Sequence, residues 1–288
     1  MRTRVLFALA TFALVTLAAM PLAAQLAPPN DAGVTMGHVH LNVKNMEAQT
    51  KFWTEMMGGK AVKNENLAMI QFPGVFIILR QMDPSAPPAG SIVDHFGFVY
   101  KDLPAAIAKW QAAGLKVEQT GTSSNQRYVT GPEDIRVEVF GDPKLTVPVQ
   151  MNHIHLYPRA KDIPQMQAWY TNAFGGKVCQ RESVARPGNM IDCVDLPGVN
   201  LSFSPSPGDT RLAPTAGRGI DHIGFEVTNL EAFAKRIDFA NGINLDEPIR
   251  TSANSKRVKV AFITDPWGTR IELTEGLSPA GSSSRGTR

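Results

Sequence analysis

Gly37 to Val43 alternates along the chain, with His38, His40 and Asn42 on one face and Val39, Leu41 and Val43 on the other. That is the period of a half-buried strand. Its apolar side needs a helix to cover it, and Asn45 to Met57 has the pattern of one: Asn45 as N-cap, Phe52, Trp53, Met56 and Met57 as the buried stripe, and Gly58-Gly59 as the stop. Three strand-like runs follow, at Lys60 to Lys63, Leu67 to Phe72 and Val75 to Gln81, making one βαβββ unit. After a Pro-rich link from Asp83 to Gly90, a second unit starts at Ile92. It predicts a helix over Leu103 to Ala113 and strands near Lys116 to Gln119, Gln126 to Thr130 and Ile135 to Phe140.

The second half of the chain repeats the first. Phe52-Trp53-Thr54 to Gly58-Gly59-Lys60 aligns with Trp169-Tyr170-Thr171 to Gly175-Gly176-Lys177. Phe72-Pro73-Gly74-Val75 aligns with Leu196-Pro197-Gly198-Val199, and the segment from Gly131 to Val139 with that from Asp265 to Leu273. Matches in the same order imply an internal duplication, so the chain holds four βαβββ units in two halves. The resulting domain plan is a signal peptide at 1–24, a linker at 25–36, an N-terminal domain at 37–142, a C-terminal domain at 150–276 and a disordered tail at 277–288.

Charge changes this picture little. The formal net charge is +3, but Arg2 and Arg4 lie in the leader and Arg285 and Arg288 in the tail, so the body is close to neutral. No basic face for nucleic acid is implied. The leader has two arginines, an apolar run from Val5 to about Ala19 and a small-residue end at Ala23-Ala24, the layout of a cleaved secretory signal; an uncleaved anchor is the alternative. The expectation is a periplasmic or extracellular protein with no membrane contact after cleavage. Cys179 and Cys193, the two cysteines of the chain, fall on two strand-like runs placed symmetrically about Arg186, so an antiparallel hairpin sets them opposite each other and within reach of a disulfide.

All six histidines lie on four strand-like segments: G-H-V-H-L at Gly37, V-D-H-F-G-F at Val93, N-H-I-H-L-Y at Asn152 and D-H-I-G-F-E-V at Asp221. Together with the ending D-P-W-G-T-R-I-E-L at Asp265, this order of motifs resembles the vicinal oxygen chelate superfamily, which includes glyoxalase I, methylmalonyl-CoA epimerase, fosfomycin- and bleomycin-resistance proteins and extradiol dioxygenases. The resemblance implies an α+β fold of two tandem domains, each an open, curled mixed sheet around a cavity with a metal on its inner wall.

Carried over by position, the resemblance implies metal ligands His38, His95 and Glu138 in the first half and His153, His222 and Glu272 in the second. Two histidines and a carboxylate suit a divalent metal, Fe(II) first, with Mn(II), Zn(II) or Ni(II) as alternatives. The fourth ligand of glyoxalases and epimerases would come from Val75 to Arg80 or Val199 to Ser204, and neither stretch holds a carboxylate or glutamine. Strand alternation turns His40 and His155 toward the same cavities as the ligands, and Tyr157, Arg270 and Glu226 share those faces. His155, Tyr157, Arg270 and Glu226 are accordingly the candidate catalytic residues, and the second half, being more polar, is the expected site. The function implied is metal-dependent chemistry on a small oxygenated substrate, dioxygenase first, glyoxalase-like lyase or isomerase second, with non-catalytic small-molecule binding as a third reading. Oligomeric state is left open. No nucleophile elbow, phosphate-binding loop or CxxC motif occurs.

Overall fold

Each predicted unit folds as βαβββ in the protein, described here by a computed structural model covering residues 26–278. The leader at 1–24 and the tail beyond Ser278 lie outside the described residues. The first unit comprises β1 (Val34–Val43), α1 (Met46–Lys51), β2 (Lys60–Asn64), β3 (Leu67–Phe72) and β4 (Val75–Gln81). The second comprises β5 (Val93–Tyr100), α2 (Leu103–Ala112), β6 (Lys116–Glu118), β7 (Gln126–Thr130) and β8 (Arg136–Gly141). The third comprises β9 (Val149–Leu156), α3 (Ile163–Phe174), β10 (Lys177–Glu182), β11 (Met190–Leu196) and β12 (Val199–Phe203). The fourth comprises β13 (Ile220–Val227), α4 (Leu230–Asn241), β14 (Glu247–Thr251), β15 (Lys259–Thr264) and β16 (Arg270–Glu275).

Local signals act as their chemistry dictates. Asn45 caps α1 by accepting from the Ala48 amide, and the helix continues from Phe52 to Met56 as a π-turn before Gly58. Two boundaries differ from the sequence reading. β1 begins at Val34, inside the expected linker, because Val34 and Met36 are fully buried. Leu277, expected in the tail, is also buried, against Met69, Phe76 and Ile78 of the first unit.

The units combine across the halves. One eight-stranded sheet has the order β14-β15-β16-β13-β1-β4-β3-β2, joining the fourth unit to the first, and the other has the order β10-β11-β12-β9-β5-β8-β7-β6, joining the third to the second. The expected α+β fold with two open, curled mixed sheets is present, and each sheet draws on both halves of the chain. The cause lies in the aromatics of the helices. Trp53 stacks on Phe96 of β5 at 5.7 Å and also meets Phe98 and Phe72, while Phe174 of α3 packs on Phe225 of β13 at 4.6 Å. The two units of each half thus stand back to back through one continuous core, and units so placed cannot share a sheet. The repeated Pro-Gly turns seal the seam, Pro73 accepting from the Met151 amide (3.2 Å) and Pro197 from the Met36 amide (2.9 Å).

The curl of the first sheet is held by a clasp between its far ends. Asn64 donates to the carbonyls of Gly276 (2.9 Å) and Leu277 (3.0 Å) and accepts from Ser255 (3.1 Å). No helix among the described residues is long and apolar enough to cross a membrane. On the outer edge of the second sheet, β10 and β11 pair with Cys179 directly opposite Cys193, Cα atoms 4.9 Å apart, and the two form a disulfide. Thiol titration of the denatured, unreduced protein is expected to find no free thiol; two would contradict the bond.

Two candidate metal centres built across the halves

Two antiparallel strand pairs at the centres of the sheets create the sites. In β1 and β13, His38 faces Gly224 and His40 faces His222; in β9 and β5, His153 faces Gly97 and His155 faces His95. The glycines of the repeated D-H-x-G-F motif leave room for the opposing imidazole. A Cβ on Gly224 would collide with the His38 ring, and one on Gly97 with the His153 ring. Glutamates from the parallel neighbours complete each cluster, Glu272 beside Gly224 and Glu138 beside Gly97.

The structure therefore gathers His38, His40, His222 and Glu272 in the first sheet and His95, Glu138, His153 and His155 in the second, each set offering four donor atoms within 4.8 Å of one another. The implied ligands all sit in one cluster or the other, but not in the two half-by-half triads. His38 leaves His95 and Glu138 to join His222 and Glu272, and His153 joins His95 and Glu138. The reason is the exchange of units described above.

The donors fit a cation. Glu272 Oε2 lies 2.9 Å from His38 Nε2 and 3.0 Å from His222 Nε2; Glu138 Oε2 lies 3.0 Å from His153 Nε2 and 3.2 Å from His95 Nε2. Two donors bound to one ion at about 2.1 Å are separated by about 3.0 Å across a right angle and about 3.4 Å across a tetrahedral one. His38 Nε2 and His153 Nε2, although close to the carboxylates, have no hydrogen-bond partner there, and both ring nitrogens of His40 and Nδ1 of His155 are buried and unpaired as well. Buried polar atoms without partners are rare and costly, and converging lone pairs are what a metal would satisfy.

Protonation agrees. Burial lowers the pKa of His38 and lowers those of His40 and His155 further, and it brings His153 down to about 4, so these rings are neutral donors at neutral pH. Burial opposes the charge on Glu138 and Glu272, but the facing imidazoles prevail and hold both carboxylates well below their usual range. Each D-H pair adds an orienting contact. His222 Nδ1 lies 2.5 Å from Asp221 Oδ1 and His95 Nδ1 2.8 Å from Asp94 Oδ1, which leaves Nε2 to face the centre. Consecutive strand residues ordinarily point to opposite faces; here a register shift at Asp94 and at Asp221 turns the aspartate back toward its histidine.

The two centres differ in what surrounds them. The first opens on a cavity of about 340 Å³ lined by His40, His222, Glu272, Ile78, Phe262 and Arg270 among others. Glu272 Oε1 has no hydrogen-bond partner among the described residues. At the second centre Glu138 Oε1 accepts from Gln126 (2.8 Å), the Tyr128 hydroxyl lies 3.2 Å from His95 Nε2, and Ser204 lies 2.8 Å from His155 Nε2. The 540 Å³ cavity near that sheet touches Arg181 and Asn200 but none of the four donors.

The catalytic candidates divide among three places. His155 and Tyr157 stack at 4.5 Å in the second centre. Arg270 is in the first, over the Phe262 ring at 4.1 Å, and pairs with Asp221 at 3.2 Å and not with Glu272. Glu226 is apart from both: its carboxylate accepts from Thr274 (2.6 Å), Gly276 (2.7 Å) and Leu277 (3.0 Å), and burial raises its pKa to about 7. It fixes the end of β16 and faces no donor. Sequence reasoning missed Asp94 and Asp221 as orienting groups, Tyr128 and Gln126 as partners of the second centre, and His40 and His155 as donors in their own right. The H-x-H spacing held the last signal.

The chain belongs to the Glyoxalase/Bleomycin resistance protein/Dioxygenase superfamily, whose profile matches residues 35–139 and 150–273. Among solved structures it is similar to glyoxalase I from Zea mays, with 16% identity over 84% of this chain and 92% of that one and a TM-score of 0.68. It is also similar to a proposed dioxygenase from Bacillus subtilis, with 14% identity over 85% of this chain and 86% of that one and a TM-score of 0.60. At these identities the likeness establishes the fold. No curated protein matches the chain by sequence.

The exchange of units sets two expected outcomes. Elemental analysis of reconstituted protein should show His38→Ala and His222→Ala each losing the same half of the bound metal, the double variant losing no more, and His38→Ala with His95→Ala losing all of it. Gly224→Ala should displace the His38 ring, weaken metal binding at the first centre at least tenfold and cost about 1–3 kcal/mol through overpacking, read by metal titration and thermal unfolding.

Proposed function

We propose that the first centre is the working site of a metal-dependent enzyme that isomerises or cleaves a small substrate held through vicinal oxygens. The observation that carries this is a set of four donors of which three, His40, His222 and Glu272, line an open cavity, with one oxygen of Glu272 free to face it. A divalent cation held there supplies Lewis acidity, lowering the pKa of a chelated hydroxyl or stabilising an enolate. His38 and His40 act as neutral donors, Asp221 orients the His222 ring through Nδ1, and Glu272 Oε1 is the group available to accept a substrate proton. The walls formed by Ile78, Val260 and Phe262 keep water from the reacting atoms.

Donor number favours this chemistry over the dioxygenase expected from sequence. Three protein donors leave room for a chelating substrate and O2 together; four leave room for the substrate alone. The metal suited to three imidazoles and a carboxylate is then Zn(II), Ni(II) or Mn(II) as readily as Fe(II). Dioxygenase chemistry retains one specific support, the Tyr128 hydroxyl beside the second donor set, 3.2 Å from His95 Nε2. Export is part of the proposal, supported by the leader and by the Cys179–Cys193 bond.

With acetoin in D2O, metal-loaded protein should exchange the proton on the hydroxyl-bearing carbon, followed by NMR. The exchange should persist under anaerobic conditions and stop on chelation of the metal. Consumption of O2 with a catechol, and no exchange, would favour the dioxygenase; tight binding without metal or turnover would favour a sequestering protein.

A further inference from the structure

The cavity of the first centre carries charge that the donor set does not use. Three guanidinium-bearing residues line it, Arg80, Arg250 and Arg270. Arg270 is committed to Asp221 (3.2 Å) and reaches toward Glu247 (3.6 Å). Arg250 has a long contact with the same Glu247 (3.8 Å), so one carboxylate serves two arginines. Arg80, near the end of β4 and paired through its backbone with β1 at Asn42, makes no side-chain hydrogen bond or ion pair among the described residues. The acidic residue lining the cavity is Glu272, whose Oε2 faces the histidines. With a divalent cation at the donors, the cavity holds a clear excess of positive charge.

Part of the cavity wall is apolar. Ile78, Val258, Val260 and Leu277 belong to a small core closed by the Asn64 clasp, and Phe262 stands edge-on to the His222 ring at 5.3 Å. The cavity thus offers a chelating centre, an apolar patch and guanidinium groups that the surrounding carboxylates only partly neutralise. The second centre is built differently: Ser202 faces His155 where Ile78 faces His40, Arg136 lies over the Tyr128 ring at 4.2 Å, and Arg181 is tied to Ser202 at 2.8 Å and Asn200 at 3.2 Å.

From this arrangement we infer that the substrate of the first centre is an organic anion: a small molecule with vicinal oxygens for the cation, a short apolar body and a carboxylate or phosphonate-type group held by Arg80 and Arg250. Guanidinium pairs with such groups through charge-assisted, often bidentate hydrogen bonds, which fix orientation as well as affinity. The inference rests on the proposed chelating role of the centre and names the class of substrate it takes.

Two probes differ in the one feature at issue. Kojic acid and comenic acid share a hydroxypyranone chelating edge; at the remote position the first bears a neutral hydroxymethyl group and the second a carboxylate. Binding to metal-loaded protein is measured by calorimetry, each affinity being divided by that of the same chelator for the free ion. Comenate is expected to bind at least tenfold more tightly than kojic acid. Arg80→Gln with Arg250→Gln should abolish that ratio while leaving kojic acid binding unchanged. Equal binding of the two chelators to the native protein, or a ratio that survives in the double variant, would overturn the anion assignment and leave the chelating role standing. Binding of neither chelator would overturn the chelating role, and the assignment with it.

Discussion

The contact of an imidazole with a glycine on the opposite strand is the constraint on which the sites depend. His38 lies across Gly224, and His153 across Gly97, in antiparallel pairs that join different halves of the chain. Only a residue without a Cβ lets the ring lie close to the partner backbone, and only with the ring there do its nitrogens approach the glutamate on the next strand. The glycine of D-H-x-G-F is therefore part of the donor geometry, although it carries no chemistry. The histidine two residues before it supplies a second donor, and the aspartate before that turns inward through a register shift to orient the ring.

The same pairing explains why a duplicated sequence yields two mixed sites in place of two self-contained ones. Every unit has an apolar face that its helix must cover, and the aromatics of α1 and α3 reach beyond their own sheets to β5 and β13. Back-to-back packing of the two units within each half, through Trp53 and Phe174, leaves the first strand of each half free to pair with a unit of the other half. The Pro-Gly turns at the seam, each accepting an amide from the other sheet, fix that arrangement further.

Much of this was legible in the sequence and some was not, for identifiable reasons. Helix starts and hairpin register depend on neighbours within a few residues, so the Asn45 cap and the opposition of Cys179 and Cys193 could be read directly. The identity of the donors could be read from residue type and position. Their grouping could not, because Gly97 and Gly224 stand in nearly identical sequence, and nothing local says which of them His38 will face. Alternation also failed where the register shifts: it puts Asp221 and His222 on opposite faces, whereas they meet at 2.5 Å. Glu226 shows the opposite error, sharing a face with His222 by alternation yet lying far enough along β13 to bind the backbone beyond β16.

The two centres show how one donor set can serve different ends through the strands beside it. Tyr128 and Phe262 occupy matching positions opposite the glutamates, and Gln126 and Val260 match one step further along. Where the neighbours are Tyr128 and Gln126, hydrogen bonds engage His95 and Glu138 and the donors are enclosed. Where they are Phe262 and Val260, the walls have nothing to offer the donors, Glu272 keeps a free oxygen, and space remains beside it. An apolar wall here does more than exclude water, since by withholding hydrogen bonds it leaves the donors to be completed by something from outside the chain.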